Sequence, residues 1–198
     1  MSVSVFSPDR YRRMPWKNGC GETIEIAIFP PDADLETFGW RISSATVASD
    51  GPFSIFAGID RTLCVLSGNG ISLSVGTGEP QALGPDSAPY SFPADTAATV
   101  RLIGGPITDL NVMTRRAVWR HEVCRHELLP DDVLTLEASA AQTIVFCQSG
   151  TMIAKDRAGV SLVPAGETLT MESDTDQCEL RATELTIAFV IRLEQKDG

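Results

Sequence analysis

A weak internal repeat, with an offset of about 80 residues, is the sequence feature that most constrains the fold. The segment Arg61–Gly68 (RTLCVLSG) recurs, with one extra residue, as Gln142–Gly150 (QTIVFCQSG). A proline-marked turn and two closing hydrophobic runs then follow in the same order in both copies. Two β-rich stretches can also align loosely by chance, but the shared order favours a duplicated β-barrel. We therefore predict one barrel over residues 1–116 and a second over 117–198, packed as one compact unit.

Short runs rich in Val, Ile, Thr and Phe lie between frequent turn residues, of which 16 are Gly and 12 are Pro. This spacing is typical of an all-β sandwich or barrel. The stretch 118–128 can be read as helix or strand, but Trp119, His121 and Val123 alternate with polar residues as in a strand. The predicted fold class is therefore all-β, with little helix.

The chain is acidic, with 26 Asp and Glu against 16 Lys and Arg and a net charge of -10 in 198 residues. This charge repels nucleic-acid phosphates and anionic membranes. The sequence has no apolar run long enough to span a membrane and no recognisable signal segment, and its five cysteines form no CxxC pair. We therefore expect a cytoplasmic protein with reduced thiols and no nucleic-acid or membrane partner, while exposed strand edges leave a homodimer open.

The chemistry of metal and nucleophilic enzymes has no clear anchor in the sequence. His121 and His126 are the two histidines, and their spacing places them on opposite faces of a strand. No GxSxG elbow is present, and no cysteine stands near a histidine with the motif spacing of a nucleophile. We predict no cofactor, no histidine-bound metal and no catalytic residue, and a metal held by carboxylates and Asn alone stays open.

Four strings stand in order along the chain: residues 14–27 (MPWKNGCGETIEIA), residues 40–43 (WRIS), residues 50–61 (DGPFSIFAGIDR) and residues 111–115 (NVMTR), of which the first and the third are unusual. Together they resemble the HutD/Ves family. The departures are mild: Ala57 stands where relatives often have Pro, and Cys20 where a small residue is expected. The resemblance implies a bicupin, two tandem jelly-roll or cupin-type barrels, in agreement with the repeat.

The resemblance also implies a function. HutD-type members are associated with histidine utilisation and are thought to tune that pathway by sensing an intermediate such as urocanate or a formylated glutamate. Ves-type members are less defined. The expected partner is therefore a small anionic metabolite.

Polar side chains occupy strand positions that otherwise belong to a core. In the run 23–29, Ile24, Ile26 and Ile28 are expected to share one face, which places Thr23 and Glu25 on the other. The same alternation groups Arg41 with Ser43, and groups Asn111 with Met113 and Arg115. Guanidinium forks suit a carboxylate, and a barrel mouth would gather these groups. The predicted ligand-binding residues are Trp16, Asn18, Thr23, Glu25, Arg41, Ser43, Arg61, Asn111 and Met113.

Two interpretations of these residues stay open. The arginines can instead form rim salt bridges with Glu25, Asp60 or Asp109, which carry no function. The repeat argues against that, because Arg61 aligns with Gln142 and the Asn111 region aligns with apolar residues in the second copy. The leading hypothesis is a non-enzymatic regulatory protein that binds a small acid. The alternative is an atypical or metal-independent cupin enzyme, an isomerase or hydrolase acting on a small acid.

Overall fold

The computed structural model describes residues 3–15, 21–137, 140–172 and 177–196. These residues form β-strands and one 3-10 turn, Pro8–Arg10, without any α-helix. The prediction of an all-β protein is confirmed, and Trp119–Leu128 is a strand as predicted. No helix in the described part of the chain is long and apolar enough to cross a membrane.

The strands in chain order are β1 (Ser4–Phe6), β2 (Arg12–Pro15), β3 (Glu22–Phe29), β4 (Trp40–Val47), β5 (Gly51–Pro52), β6 (Ile59–Ser67), β7 (Ile71–Val75), β8 (Gln81–Leu83), β9 (Tyr90–Pro93), β10 (Ala98–Leu102), β11 (Ile107–Arg115), β12 (Trp119–Leu128), β13 (Val133–Glu137), β14 (Gln142–Ser149), β15 (Thr151–Lys155), β16 (Val160–Pro164), β17 (Thr168–Glu172), β18 (Gln177–Ala182) and β19 (Thr186–Gln195). Strands such as β18 alternate buried and exposed residues, as strands with one buried face do. Central strands such as β6 and β11 are buried on both faces, and they carry buried polar residues such as Arg61, Asp109 and Asn111 among the apolar ones.

One compact unit comprises Tyr11–Arg120 and Lys196–Gly198. It contains a six-stranded sheet of order β2-β3-β4-β11-β6-β9 and a four-stranded sheet of order β5-β10-β7-β8. The two sheets enclose a core in which Leu63, Ile71 and Leu73 are fully buried. We call this unit the first barrel.

The other compact unit comprises Met1–Arg10 and His121–Gln195. Its five-stranded sheet has the order β1-β17-β14-β19-β12, and its four-stranded sheet has the order β13-β18-β15-β16. The core includes Val145, Met152 and Leu180, each with no exposed surface. Strand β1 pairs with β17 in this unit. The sequence predicts β1 in the barrel of residues 1–116 instead, because a three-residue strand does not reveal its partner. We call this unit the second barrel.

The two barrels repeat one topology. In the first, β6 pairs with β9 and β11, and β7 pairs with β8 and β10. In the second, β14 pairs with β17 and β19, and β15 pairs with β16 and β18. A β-bulge interrupts β6–β11 and β14–β19 at corresponding points. The shared pairing and the shared bulge support the predicted duplication.

The register corrects one detail of the sequence alignment. Counted from the shared bulge, Met113 of β11 and Arg192 of β19 are equivalent positions. Met113 lies opposite Arg61, and Arg192 lies opposite Thr143. The counterpart of Arg61 is therefore Thr143, not Gln142. The segment from Arg61 to Gly68 has the same length as the segment from Thr143 to Gly150. The extra residue of the second copy, Gln142, therefore lies before the equivalent segment. The counterparts of Asn111 and Asp109 are the apolar residues Val190 and Ala188.

Candidate ligand-binding site

A cavity of about 610 Å³ opens in the first barrel. Strands β3, β4, β6 and β11 form its floor, and the segment that follows β5 forms one wall. The lining residues are Met14, Pro15, Thr23, Leu35, Arg41, Ser43, Ala45, Val47, Pro52, Phe53, Ser54, Phe56, Arg61, Asp109, Asn111 and Met113. The volume suits a small organic molecule, and the lining combines apolar side chains with a few polar groups, as ligand pockets do.

One of the two cavity arginines is already neutralised. Arg41 on β4 donates from Nε to Glu25 Oε2 on β3 at 2.6 Å, and from Nη1 to Ser43 Oγ at 3.3 Å. The side chains of Arg41 and Glu25 are only 6% and 8% exposed. The pairing of an arginine with Glu25 that the sequence left open therefore occurs, but the pair is buried instead of lying at a rim.

The other cavity arginine has no carboxylate in direct contact. Arg61 on β6, 6% exposed, donates from Nε to Asn111 Oδ1 at 2.9 Å, and its Nη2 donates to the same oxygen. Asn111 Nδ2 then donates to Asp109 Oδ1 at 2.7 Å. The arginine and the aspartate are therefore connected through a neutral amide, and no ion pair to Arg61 exists within the described residues.

Aromatic rings complete the surroundings of Arg61. Its guanidinium lies 4.1 Å from the centroid of Phe53 and 5.5 Å from that of Phe92. Burial lowers the pKa of Arg61 to about 10, the negative charge of Asp109 opposes this shift, and the positive charge of Arg41 adds to it. Arg61 thus stays protonated at neutral pH, as a desolvated cation held by an amide oxygen and two π faces.

Asp109 on β11 is 1% exposed and lines the same cavity. Its Oδ1 accepts hydrogen bonds from the backbone N–H of Ala45 at 3.1 Å and from Asn111. Its Oδ2 is buried and has no hydrogen-bond partner among the described residues. Burial raises the pKa of Asp109 to about 6, although Arg61 and the hydrogen bond from Asn111 lower it. Burial and the charge of Asp109 also raise the pKa of the Cys64 thiol, to about 12, so this thiol stays neutral.

The structure brings most of the predicted residues to one place. Six of them line the cavity: Thr23, Arg41, Ser43, Arg61, Asn111 and Met113. Glu25 holds Arg41 from the neighbouring strand. Trp16 and Asn18 lie outside the described residues. The assignment of these residues to a ligand stays a prediction.

Two expectations about side-chain placement are wrong. A bulge between Glu25 and Ala27 changes the alternation of β3, so Ile28 lies opposite Arg41 and shares a face with Glu25. Arg115 does not line the cavity, because it donates to the backbone carbonyls of Phe38 at 3.1 Å and Glu36 at 2.6 Å.

Sequence reasoning missed ten of the sixteen lining residues, and Asp109, Phe53 and Phe56 are the most important of these. Asp109 precedes Asn111 by two positions and therefore shares its face, a signal that was available in the alternation. Phe53 and Phe56 belong to the GPFSIF string, but they lie in a loop without periodicity. Backbone hydrogen bonds from Phe53 N to Ala98 O and from Phe56 N to Ala94 O, both 2.9 Å, hold that loop.

A family model described as HutD matches residues 8–188. The chain belongs to the HutD family. This membership agrees with the strings noted in the sequence, and it covers both barrels.

Curated relatives support the assignment. An uncharacterized 21.2 kDa protein in the hutC 3' region of Pseudomonas putida is 41% identical over 103 residues, which are 52% of this chain and 53% of the relative. The protein Ves of Citrobacter koseri is 38% identical over 109 residues, which are 53% of this chain and 56% of the relative. The chain thus spans about half the length of these two relatives.

Solved structures superpose over nearly the whole chain. HutD from Pseudomonas fluorescens SBW25, solved in a formate condition, has a TM-score of 0.81 at 30% identity and covers 99% of this chain and 100% of its own. A conserved protein of unknown function from Pseudomonas aeruginosa PAO1 has a TM-score of 0.87 at 28% identity, covering 98% and 100%. A bacterial pirin from Escherichia coli, in complex with nickel(II), has a TM-score of 0.69 at 11% identity, covering 96% and 98%, and shares the fold alone. The HutD-family chain is thus a bicupin, as predicted.

Many cupin-type barrels hold a divalent metal, and the cavity of this HutD-family chain does not fit one. Within the described residues, no group of three or more His, Cys, Asp or Glu side chains is placed to bind an ion. Two guanidinium groups line the cavity, and Glu25 is already bound to Arg41. This donor set favours an anion over a cation.

Proposed function

We propose that this HutD-family protein is a non-enzymatic regulator that binds a small carboxylate intermediate of histidine utilisation in the first barrel. The observation that carries the proposal is Arg61, a buried cation that lines a cavity without a carboxylate bound to it directly. Burying a charge costs free energy unless the charge gains a partner. A ligand carboxylate supplies that partner.

The second barrel provides an internal comparison. At the positions equivalent to Arg61, Asn111 and Asp109 it has Thr143, Val190 and Ala188, each at most 3% exposed. The same topology is therefore stable with a largely apolar interior. The polar groups of the first barrel are not required by the fold, which supports a role in ligand binding.

The relatives support the class of ligand. The Pseudomonas fluorescens HutD structure was solved in a condition that contains formate, the smallest carboxylate, and the Pseudomonas putida relative lies in the hutC 3' region. A cavity of about 610 Å³ is larger than formate needs, so we propose urocanate or a formylated glutamate as the physiological ligand. We further propose that the protein acts in the cytoplasm without a nucleic-acid or membrane partner.

A thermal-shift screen tests this proposal. The panel is urocanate, formylglutamate, formiminoglutamate, histidine and formate, with formamide as the uncharged control for formate. We expect the carboxylates that fit to raise the melting temperature with concentration, because they bind only the folded state, and formamide to leave it unchanged. No shift with any acid would refute the proposal. Conversion of an acid during incubation, followed by NMR, would instead identify an enzyme.

A further inference from the structure

The cavity contains a second unsatisfied group besides Arg61. Asp109 Oδ2 is buried without a hydrogen-bond partner among the described residues, in a side chain that lines the cavity and is 1% exposed. Buried carboxylate oxygens without partners are rare in folded proteins, because each has given up its hydration. The position of this oxygen beside the Arg61–Asn111 pair indicates that a ligand supplies the missing contact.

The charges around Asp109 balance before a ligand arrives. From β6, Arg61 offers one positive charge and Cys64 is a neutral thiol; from β4, Arg41 is paired with Glu25 of β3. Arg61 and Asp109 therefore balance each other through Asn111. A carboxylate bound at Arg61 brings a second negative charge to a site whose one available cation, Arg61, already balances Asp109. Two carboxylates that share a buried site do not both stay ionised at little cost.

We infer that Asp109 is a proton-linked ligand contact: when an anion binds at Arg61, Asp109 Oδ2 takes a proton from solvent and donates a hydrogen bond to the anion. The inference rests on the proposed function, because it requires an anion at Arg61. The proton comes from water, no covalent bond to carbon changes, and the complex keeps the charge of the empty site.

The direction of the pH dependence follows from two shifts. Burial already raises the pKa of Asp109 to about 6 in the empty protein, and a neighbouring anion raises it further. Below pH 6 the proton is already present, and binding does not depend on pH. Above pH 6 the proton must be taken up, so affinity falls as pH rises.

The dissociation constant of formate between pH 5.5 and 8, measured by NMR titration of the protein, tests the inference. Formate stays ionised above about pH 5, so any pH dependence belongs to the protein. We expect the constant to rise about fifty-fold from pH 6 to pH 8, approaching tenfold per pH unit. The variant Asp109→Asn keeps the shape of the side chain without a titration, and its constant should not change with pH.

Two further measurements do not depend on that variant. In unbuffered salt at pH 7.5, the wild-type protein should take up about one proton per bound formate, read with a pH electrode. Histidine is the side chain type that ordinarily titrates between about pH 5.5 and 8. The double variant His121→Gln, His126→Gln removes both histidines of the chain and leaves Asp109 in place. It should retain the wild-type pH dependence.

The outcomes separate the inference from the proposed function. Formate binding that is independent of pH, or a pH dependence that survives in Asp109→Asn, would overturn the role of Asp109 and leave the carboxylate site intact. Proton uptake near zero at pH 7.5 would overturn it equally. Absence of formate binding at every pH would overturn the proposed carboxylate site, and the inference with it.

Discussion

Replacing Asp109 with Asn should stabilise the empty protein in a pH-dependent way. The folded protein holds this carboxyl with a pKa of about 6, above its ordinary value of 3.8, because the group is buried. Ionising it therefore costs the folded state more than the unfolded state. This raised pKa corresponds to roughly 3 kcal/mol of stability of the folded protein, which is complete below the unfolded pKa and is lost as pH rises through 6.

Urea unfolding at pH 5 and pH 7.5 measures this loss. Buried Trp40 and Trp119 both belong to the first barrel, so their fluorescence reports on the unit that contains Asp109. The Asn amide accepts the same hydrogen bonds from Ala45 and Asn111, and any fixed cost of the substitution is equal at both pH values. The free energy of unfolding of the variant relative to wild type should rise by about 1.5 kcal/mol between pH 5 and 7.5, half of the full shift.

Asp95→Asn is the matched control. Hydrogen bonds from Arg116 lower the pKa of the exposed Asp95, so its contribution to stability is complete above pH 5 and is lost only as pH falls further. The difference between this variant and wild type should be the same at pH 5 and 7.5. A difference for Asp109→Asn that is equally independent of pH would refute the raised pKa.

Three further substitutions test neighbouring parts of the account. Phe53→Leu removes the ring whose centroid lies 4.1 Å from the Arg61 guanidinium. The affinity for formate in the NMR titration should fall by about threefold to tenfold, and unchanged affinity would exclude the ring from the site. Val190→Asn places an amide at a position only 1% exposed, and urea unfolding should show a loss of about 2 to 4 kcal/mol; wild-type stability would contradict an apolar second interior. Gly150→Ala brings a Cβ to 2.6 Å from the Leu185 carbonyl oxygen, at a residue with a φ of +77°. The free energy of unfolding should therefore fall by about 2 kcal/mol or more, and an unchanged value would contradict this turn geometry.

The sequence predicts the architecture well because it contains an internal repeat of one barrel. Two copies of a hydrophobic strand and a Ser-Gly turn, in the same order, indicate a duplicated barrel without knowledge of the structure. Local alternation alone does not reveal bulges, and this limit accounts for the misplaced Ile28. It also does not reveal the partner of a short strand such as β1.

The site is predictable where it lies on regular strands. Arg41, Ser43, Arg61, Asn111 and Met113 line the cavity because alternate residues of β4, β6 and β11 share one face. The connection of Arg61 to Asp109 through Asn111 is different, since it depends on how three side chains meet across two strands. Phe53 was missed because loop backbone, not periodicity, positions its ring over the guanidinium.

The most direct test of a carboxylate site at Arg61 is calorimetry of formate, urocanate and formylglutamate with wild type, Arg61→Met, Arg61→Lys and the exposed control Arg101→Met, all at pH 6. A charge-assisted hydrogen bond contributes about 1.5 to 3 kcal/mol, so Arg61→Met should weaken binding by about tenfold to a hundredfold or more. Arg61→Lys should recover only part of this loss, because an ammonium does not replace a bidentate fork, and Arg101→Met should match wild type. Equal affinities of wild type and Arg61→Met, or no binding of these acids to wild type, would contradict the account.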